Sequence, residues 1–428
     1  MKTRTIKVDY LARVEGEGAL QIKIDGDHLE ELHLHIFEPP RFFEALLRGR
    51  AFTEAPDITA RICGICPVAY QMSSIHAMER LCGVEVDPIM RSMRRLLYCG
   101  EWIESHALHI YCLHAPDFLG YESAVHLAKD HPEWVKRGLA LKKVGNSLMA
   151  LLGGREIHPI NVRVGGFYRM PSASELRAMK GPLTEALAMA EETALWVAGL
   201  PFPDLERDYT FVCLSHPDEY PMNRGRLISN RGLDLDVADY ETRFREEHLP
   251  HSTSLYSRLD GEHYLVGPLA RVNLCFDRLS PRARRMAEKI GFAPICTNPF
   301  KSIIARALEV IHVCEESCAI IDGYVPPEAP YYDCKPMAGQ GFACTEAPRG
   351  ILYHRYAVDG EGLIQEAKIV PPTSQNQGVI EADLRDLVRR NLALPDDRLQ
   401  WLCEQAIRNY DPCISCSTHF LDLKVERS

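Results

Sequence analysis

Arg61-Ile62-Cys63-Gly64-Ile65-Cys66-Pro67 and, most of a chain later, Asp411-Pro412-Cys413-Ile414-Ser415-Cys416-Ser417-Thr418-His419 are the two stretches that decide how this sequence folds. Each carries a Cys-x-x-Cys pair. Four thiolates from two such loops can close a tetrahedral sulfur cage around a soft metal. The two pairs of a zinc ribbon sit only about 15–20 residues apart, whereas here almost the whole chain lies between them. A site stitched from both ends is a centre around which a fold is built, not a local staple. The competing reading is two unrelated buried or redox pairs. Spacing alone offers zinc or an iron–sulfur cluster first.

Working outward, Gly64 lets the backbone turn tightly between two ligands, and Pro67 suits the first position of a following helix. Both thiolates of the first pair are therefore expected at a helix N-terminus, where the dipole and free N–H groups stabilise negative sulfur. Pro412 stiffens the approach to Cys413. Cys314 and Cys318 share one side of an apolar helical stretch and read as buried small hydrophobes. The remaining cysteines lack ligand spacing.

The chain has 428 residues, 46% hydrophobic and 25% charged, an ordinary globular composition with room for a large core. A net charge of −10 with no basic stripe argues against nucleic acid. No uncharged apolar run reaches the ~20 residues that span a bilayer, and Met1–Thr5 leads into a strand-like segment without an apolar signal core. Fifteen scattered cysteines do not read as a disulfide framework, so a reducing cytoplasm is the expected location.

Ala19–Ile24 alternates at period two into the Asp25-Gly26 turn signal, a β-ribbon. Helical periodicity runs over Ser73–Cys82 and Ile89 to about Leu113. Ser172-Ala173-Ser174-Glu175 is a capping box expected to open one long helix to about Leu200. Phe300–Asp322 is nearly apolar on all sides, hence central, and Gly323 stops it. Strand-like pieces follow at Thr210–Leu214, Arg226–Ser229 and around Asp359-Gly360, and helices at about Glu381–Asn391 and Pro395–Asn409. With no repeat or clean linker, residues 1–428 read as a single domain, mainly α with small β elements (α+β): a central helix bundle with peripheral β-ribbons.

The two cysteine motifs resemble the N- and C-terminal signatures of nickel–iron hydrogenase large subunits. The resemblance continues in order through Arg13-Val14-Glu15-Gly16, Gly153-Gly154-Arg155 with His158-Pro159 and Gly165-Gly166, Gly267-Pro268-Leu269-Ala270-Arg271-Val272, and Glu346-Ala347-Pro348-Arg349-Gly350. It implies the hydrogenase large-subunit fold, with an active site assembled from both termini and a Ni–Fe centre whose iron carries carbon monoxide and cyanide. Cys63 and Cys413 would be terminal nickel ligands, and Cys66 and Cys416 bridging ones. Glu15 would accept the proton released near Cys413. Arg349, made rigid by Pro348, would stand over the open metal position, and Asp411 would anchor that region through a charge-assisted hydrogen bond. Glu44, His419 and a backbone carbonyl of about Ile369 would hold Mg2+ or a similar divalent cation, and Thr373 would hydrogen-bond a cyanide.

Where many family members have histidine, this chain has Tyr70, a phenol able to donate one hydrogen bond to a bridging sulfur. This difference, and the lack of a tryptophan after Pro372, resembles the cytoplasmic bidirectional NAD(P)-linked, sulfhydrogenase-like branch. The implied activity is reversible heterolytic cleavage of H2 into protons and electrons. The four cysteines are used up and no Gly-x-Gly-x-x-Gly follows a strand. Iron–sulfur clusters and the nicotinamide site must therefore lie on other chains, and the resemblance implies a small subunit for the clusters and diaphorase subunits carrying flavin and NAD(P), in a heteromultimer. Two rivals share the fold: a quinone-binding, complex I-like peripheral-arm subunit without nickel, and a hydrogen-sensing regulatory subunit. The resemblance also implies a maturation protease that removes residues 420–428, leaving His419 at the end.

Overall fold

Thr3–Val8 (β1), Gly18–Asp25 (β2) and His28–Ile36 (β3) form an antiparallel sheet in that order. In β2 the residues are alternately buried and half-buried, which is how the period of two becomes one core face. Asp25 pairs with His28 across the tight turn that the sequence signals. This computed structural model describes residues 3–39 and 41–419; the expected cleavable segment 420–428 lies outside the described residues.

The bundle follows: Pro67–Cys82 (α1), Pro88–Leu108 (α2), Pro132–Gly153 (α3), Lys180–Ala198 (α4) and Ser302–Asp322 (α5). α2 packs against α3 and α5, and α5 against α4. Gly339–Ala347 (β4), Gly350–Val358 (β5) and Ile364–Val370 (β6) form a second antiparallel sheet whose first strand lies on α1. Pro372–Arg390 (α6), Asp396–Arg408 (α7) and the short Ile414–Ser417 (α8) bring the chain back to its beginning. One hydrophobic cluster joins Ile6 of β1 to Cys416 of α8.

Three boundaries differ from expectation. Ser172 does cap a helix, with its hydroxyl accepting from Glu175 N–H, but that helix is only Ala173–Ala178 and breaks at Met179 before α4. α6 starts at Pro372, well ahead of Glu381, because a proline in the first turn gives up an N–H that has no helical partner anyway. α2 ends at Leu108 and passes into a wider-wound turn, His109–His114.

Candidate metal centre

The four cysteines meet. Cys63 Sγ lies 2.6 Å from Cys66 Sγ and 3.7 Å from Cys413 Sγ, and one sulfur from each of Cys63, Cys66, Cys413 and Cys416 lies within 4.8 Å of every other. All four are buried and none is in a disulfide. Burial pushes the Cys66, Cys413 and Cys416 thiols up. Cys63 goes the other way: burial opposes ionisation, but hydrogen bonds from Cys413, Cys416 and Cys66, with the charge of Arg349, hold it well below a free thiol. Four sulfurs this close in a dry pocket cannot all carry charge unless a cation shares it. A soft metal centre therefore fits this donor set.

Helix α1 positions the first pair, with Cys66 at its N-cap and Pro67 at its start. The expected role of the helix N-terminus needs correcting. The N–H groups of Val68 and Ala69 are taken by the buried carboxylate of Glu101, at 2.6 and 3.3 Å. Cys63 Sγ instead accepts from the N–H groups of Cys66 (3.0 Å) and Ile65 (3.4 Å), inside the loop itself. Gly64 is outside the left-handed region and has open space where a Cβ would stand, so the turn does not require glycine.

The second pair is held against the N-terminal segment. Glu15 and Cys413 form a β-bridge, with Ile414 N–H donating to Glu15 O at 2.9 Å. The Cys413 thiol donates to Glu15 Oε2 at 3.1 Å, and the same oxygen accepts Ser415 N–H at 3.1 Å. Glu15 is half-buried, so its carboxylate joins the sulfur pocket to the outer layers of the protein. Gly16, at φ +88°, lets the strand pass this closely: a Cβ there would come within 2.8 Å of both Ser415 N and Ile414 Cβ. Arg13 fixes the turn from behind, donating to Leu113 O and Asp117, while Arg408 binds Asp117 and Ala12 O.

Arg349 occupies the two-residue turn Pro348-Arg349 between β4 and β5. Its Nε donates to Asp411 O at 2.7 Å and its Nη2 to Asp411 Oδ1 at 3.1 Å, while the buried Nη1 makes no hydrogen bond. Asp411 holds the left-handed φ of +51° that aims both acceptors at the guanidinium. Arg271 supports the turn, with Nη1 and Nη2 donating to the carbonyls of Ala347 and Pro348 at 3.0 and 2.9 Å. Gly267, at φ +110°, clears Arg349 O, which a Cβ would meet at 2.6 Å. Arg271 itself is clamped by Glu309 and Glu346 with no exposure, and its guanidinium lies over Trp102.

Thr373 Oγ1 accepts Cys413 N–H at 2.9 Å, which leaves its hydroxyl hydrogen free to donate. Tyr70 is fully buried, yet its phenol, expected to reach a bridging sulfur, makes no hydrogen bond to the protein. Glu44, His419 and Ile369 line one cavity of about 240 Å³ with Cys416. His419 Nε2 sits 3.2 Å from Glu44 Oε1. Ile369 N–H donates to Glu44 Oε1 at 2.7 Å.

Sequence reasoning missed Glu101, the Arg271–Glu309–Glu346 cluster, the Arg13–Asp117–Arg408 cluster, and Glu246. Burial raises Glu246 to about 7, against the pull of His419 and Lys368. The signal available was a carboxylate set between apolar neighbours, as Glu309 is between Leu308 and Val310 in α5.

The chain matches the family model for nickel-dependent hydrogenase over residues 41–140 and 238–419. It is 34% identical over 422 residues to sulfhydrogenase 1 subunit alpha of Pyrococcus furiosus, covering 98% of each chain. It is 28% identical to the NAD-reducing hydrogenase HoxS subunit beta of Cupriavidus necator, covering 98% of this chain and 95% of that one. A solved NAD+-reducing NiFe-hydrogenase in its H2-reduced state superposes with a TM-score of 0.89 at 28% identity, over 97% of this chain and 99% of that chain. A bundle with small rim sheets, enclosing four cysteines drawn from both ends, defines the hydrogenase large-subunit class. This chain belongs to the nickel-dependent hydrogenase family.

Proposed function

We propose that this chain is a hydrogenase catalytic subunit that converts H2 reversibly to two protons and two electrons, with Cys63, Cys66, Cys413 and Cys416 holding a Ni–Fe centre. Such a centre supplies the Lewis acidity and redox capacity for heterolysis of dihydrogen. The chain's own residues do the rest. Cys413 Sγ holds a proton and hands it to Glu15 Oε2, 3.1 Å away, which relays it outward. Arg349 presents a fixed positive charge through Nη1, the one guanidinium nitrogen not engaged by Asp411. Thr373 fixes the Cys413 backbone and, with Pro348, lines the place for the diatomic ligands on iron. Glu44, His419 and Ile369 hold a divalent cation such as Mg2+ beside the centre.

Electrons must leave the chain, because among the described residues no other group of three or more cysteines comes together to hold a cluster. That supports an iron–sulfur small subunit as acceptor. The likeness to a sulfhydrogenase alpha subunit and an NAD-reducing hydrogenase supports flavin-bearing diaphorase partners and NAD(P) as the terminal acceptor, in the cytoplasm. Among the described residues no helix is long and apolar enough to cross a membrane. In this reading a maturation protease removes residues 420–428 once nickel is loaded.

The observation that carries the proposal is the thiol of Cys413 on the carboxylate of Glu15 inside a four-cysteine cage. Infrared spectroscopy of the purified matured protein tests it. Diatomic stretching bands that shift on exposure to H2 are expected, and a nickel-loaded protein without such bands would overturn the assignment of the iron ligands.

A further inference from the structure

We propose that His33, His251 and Glu381 form a second metal site, using none of the four cysteines, for a borderline divalent transition ion of the zinc type. One ligand atom from each of the three lies within 4.8 Å of the others. The His33 and His251 ring centroids are 4.6 Å apart, and His35 stands 5.8 Å from each. Among the described residues, this group and the four cysteines alone bring three or more such side chains so close.

The sequence builds the site by simple geometry. In His33-Leu34-His35 the strand alternation of β3 sends Leu32, Leu34 and Ile36 into the core and both imidazoles to the opposite face. β3 is an edge strand, and α6 covers that edge: Leu34 N–H donates to Glu381 at 2.9 Å and Arg385 donates to Leu32 O. The same contact delivers the Glu381 carboxylate to the histidines. His251, from the segment after β3's far end in space, brings Nε2 to 3.0 Å from Glu381 Oε1.

Two features separate this cluster from an ordinary buried histidine group. His33 Nδ1 is a buried atom without a hydrogen-bond partner, a costly state that coordination removes. Glu381 is already oriented by Tyr256 OH at 3.0 Å and by Leu34 N–H, the kind of outer support that ligating carboxylates have. Two imidazoles and one carboxylate suit zinc, nickel or copper, whereas magnesium prefers an all-oxygen set. Both histidines are half-buried, so an ion has access.

Occupancy would tie β3, α6 and the loop at 251 together. Thr253, two residues beyond His251, donates to Ile36 O at 3.0 Å and accepts His419 N–H at 2.9 Å. The ion would thus steady the segment against which the last described residue docks.

The test uses the nickel-loaded, matured protein, stripped of loosely held ions with a chelator and then equilibrated with Co2+. One Co2+ per chain that depends on His33 and His251 is expected beyond nickel, iron and the cation held by Glu44 and His419, with visible d–d absorption and without the thiolate charge-transfer band of a cysteine site. His33→Ala, and independently His251→Gln, should each weaken Co2+ binding by more than about 100-fold, beyond what loss of an outer-shell partner costs. Both should keep nickel and H2 turnover, and Zn2+ should raise Tm in the parent but not in either variant. No retained Co2+ in the parent, undiminished retention in both variants, or a charge-transfer band would each overturn the site.

Discussion

Glu15 Oε2 accepts two hydrogen bonds from the second cysteine loop, one from the Cys413 thiol and one from Ser415 N–H, each at 3.1 Å. One oxygen therefore both takes the hydrogen bond of the thiol and pins the loop that carries it. The backbone bridge between Glu15 and Cys413 fixes this distance through the main chain rather than through side-chain packing.

Glu15→Gln separates those two duties. The amide oxygen still accepts Ser415 N–H, so nickel content should be unchanged, but it cannot take up and release a proton. H2–D2O exchange should fall by about 10²–10⁴-fold. Exchange at the parent rate would show that the proton leaves by another route.

Arg349→Lys keeps the charge and loses the planar fork that spans Asp411 O and Oδ1. Turnover should drop by about 10²–10³-fold with nickel retained, the scale seen when one fixed electrostatic donor is removed. Steady-state H2 oxidation alongside elemental analysis checks both halves of that statement.

Gly16→Ala places a methyl group within 2.8 Å of Ser415 N, at a φ of +88° that alanine resists. The left-handed backbone alone costs about 1–2 kcal/mol, and the contact pushes on the 413–416 loop. Reduced nickel incorporation is expected together with a lower Tm. A variant with full nickel and normal turnover would mean that the close approach has no functional weight.

Glu309 gives a pH dependence with a definite sign. Burial alone would raise its carboxyl, yet Arg271 and His106 bring it from 4.5 down to about 2. A depressed folded value contributes stability that is fully present above 4.5 and is lost as pH falls toward about 2. Denaturant midpoints across that window should decline in the parent and decline less in Glu309→Gln. At neutral pH the variant should be less stable by about 3–5 kcal/mol, because Arg271 loses a buried partner.

The parts of this protein legible in its sequence are those that chemistry or periodicity dictates locally. Cys-x-x-Cys loops at both ends announce a shared centre because few other arrangements use them, and the alternation of β2 and the apolar run of α5 read directly as elements. What stayed hidden depends on tertiary placement. Nothing near Cys66 says that Glu101, on another helix, takes the N–H groups at the start of α1. The Arg271 cluster lies within a stretch that resembles the family, yet its support of the Arg349 turn comes from β4, β5 and α5 meeting at one point. The break at Met179 is an exception, since it was marked locally by Gly181-Pro182 just beyond it, where proline has no N–H to continue the capped helix. His33 and His35 look like ordinary polar positions of a strand until α6 and the loop at 251 close over them.

The most direct measurement is the metal content of the matured, purified protein in parent and Cys416→Ser forms. One nickel and one iron per chain are expected in the parent. Both should be lost from the variant, since a serine hydroxyl does not replace a thiolate toward a soft metal. Zinc in place of nickel in a fully matured parent, or nickel retained undiminished in the variant, would contradict a Ni–Fe centre held by the four cysteines.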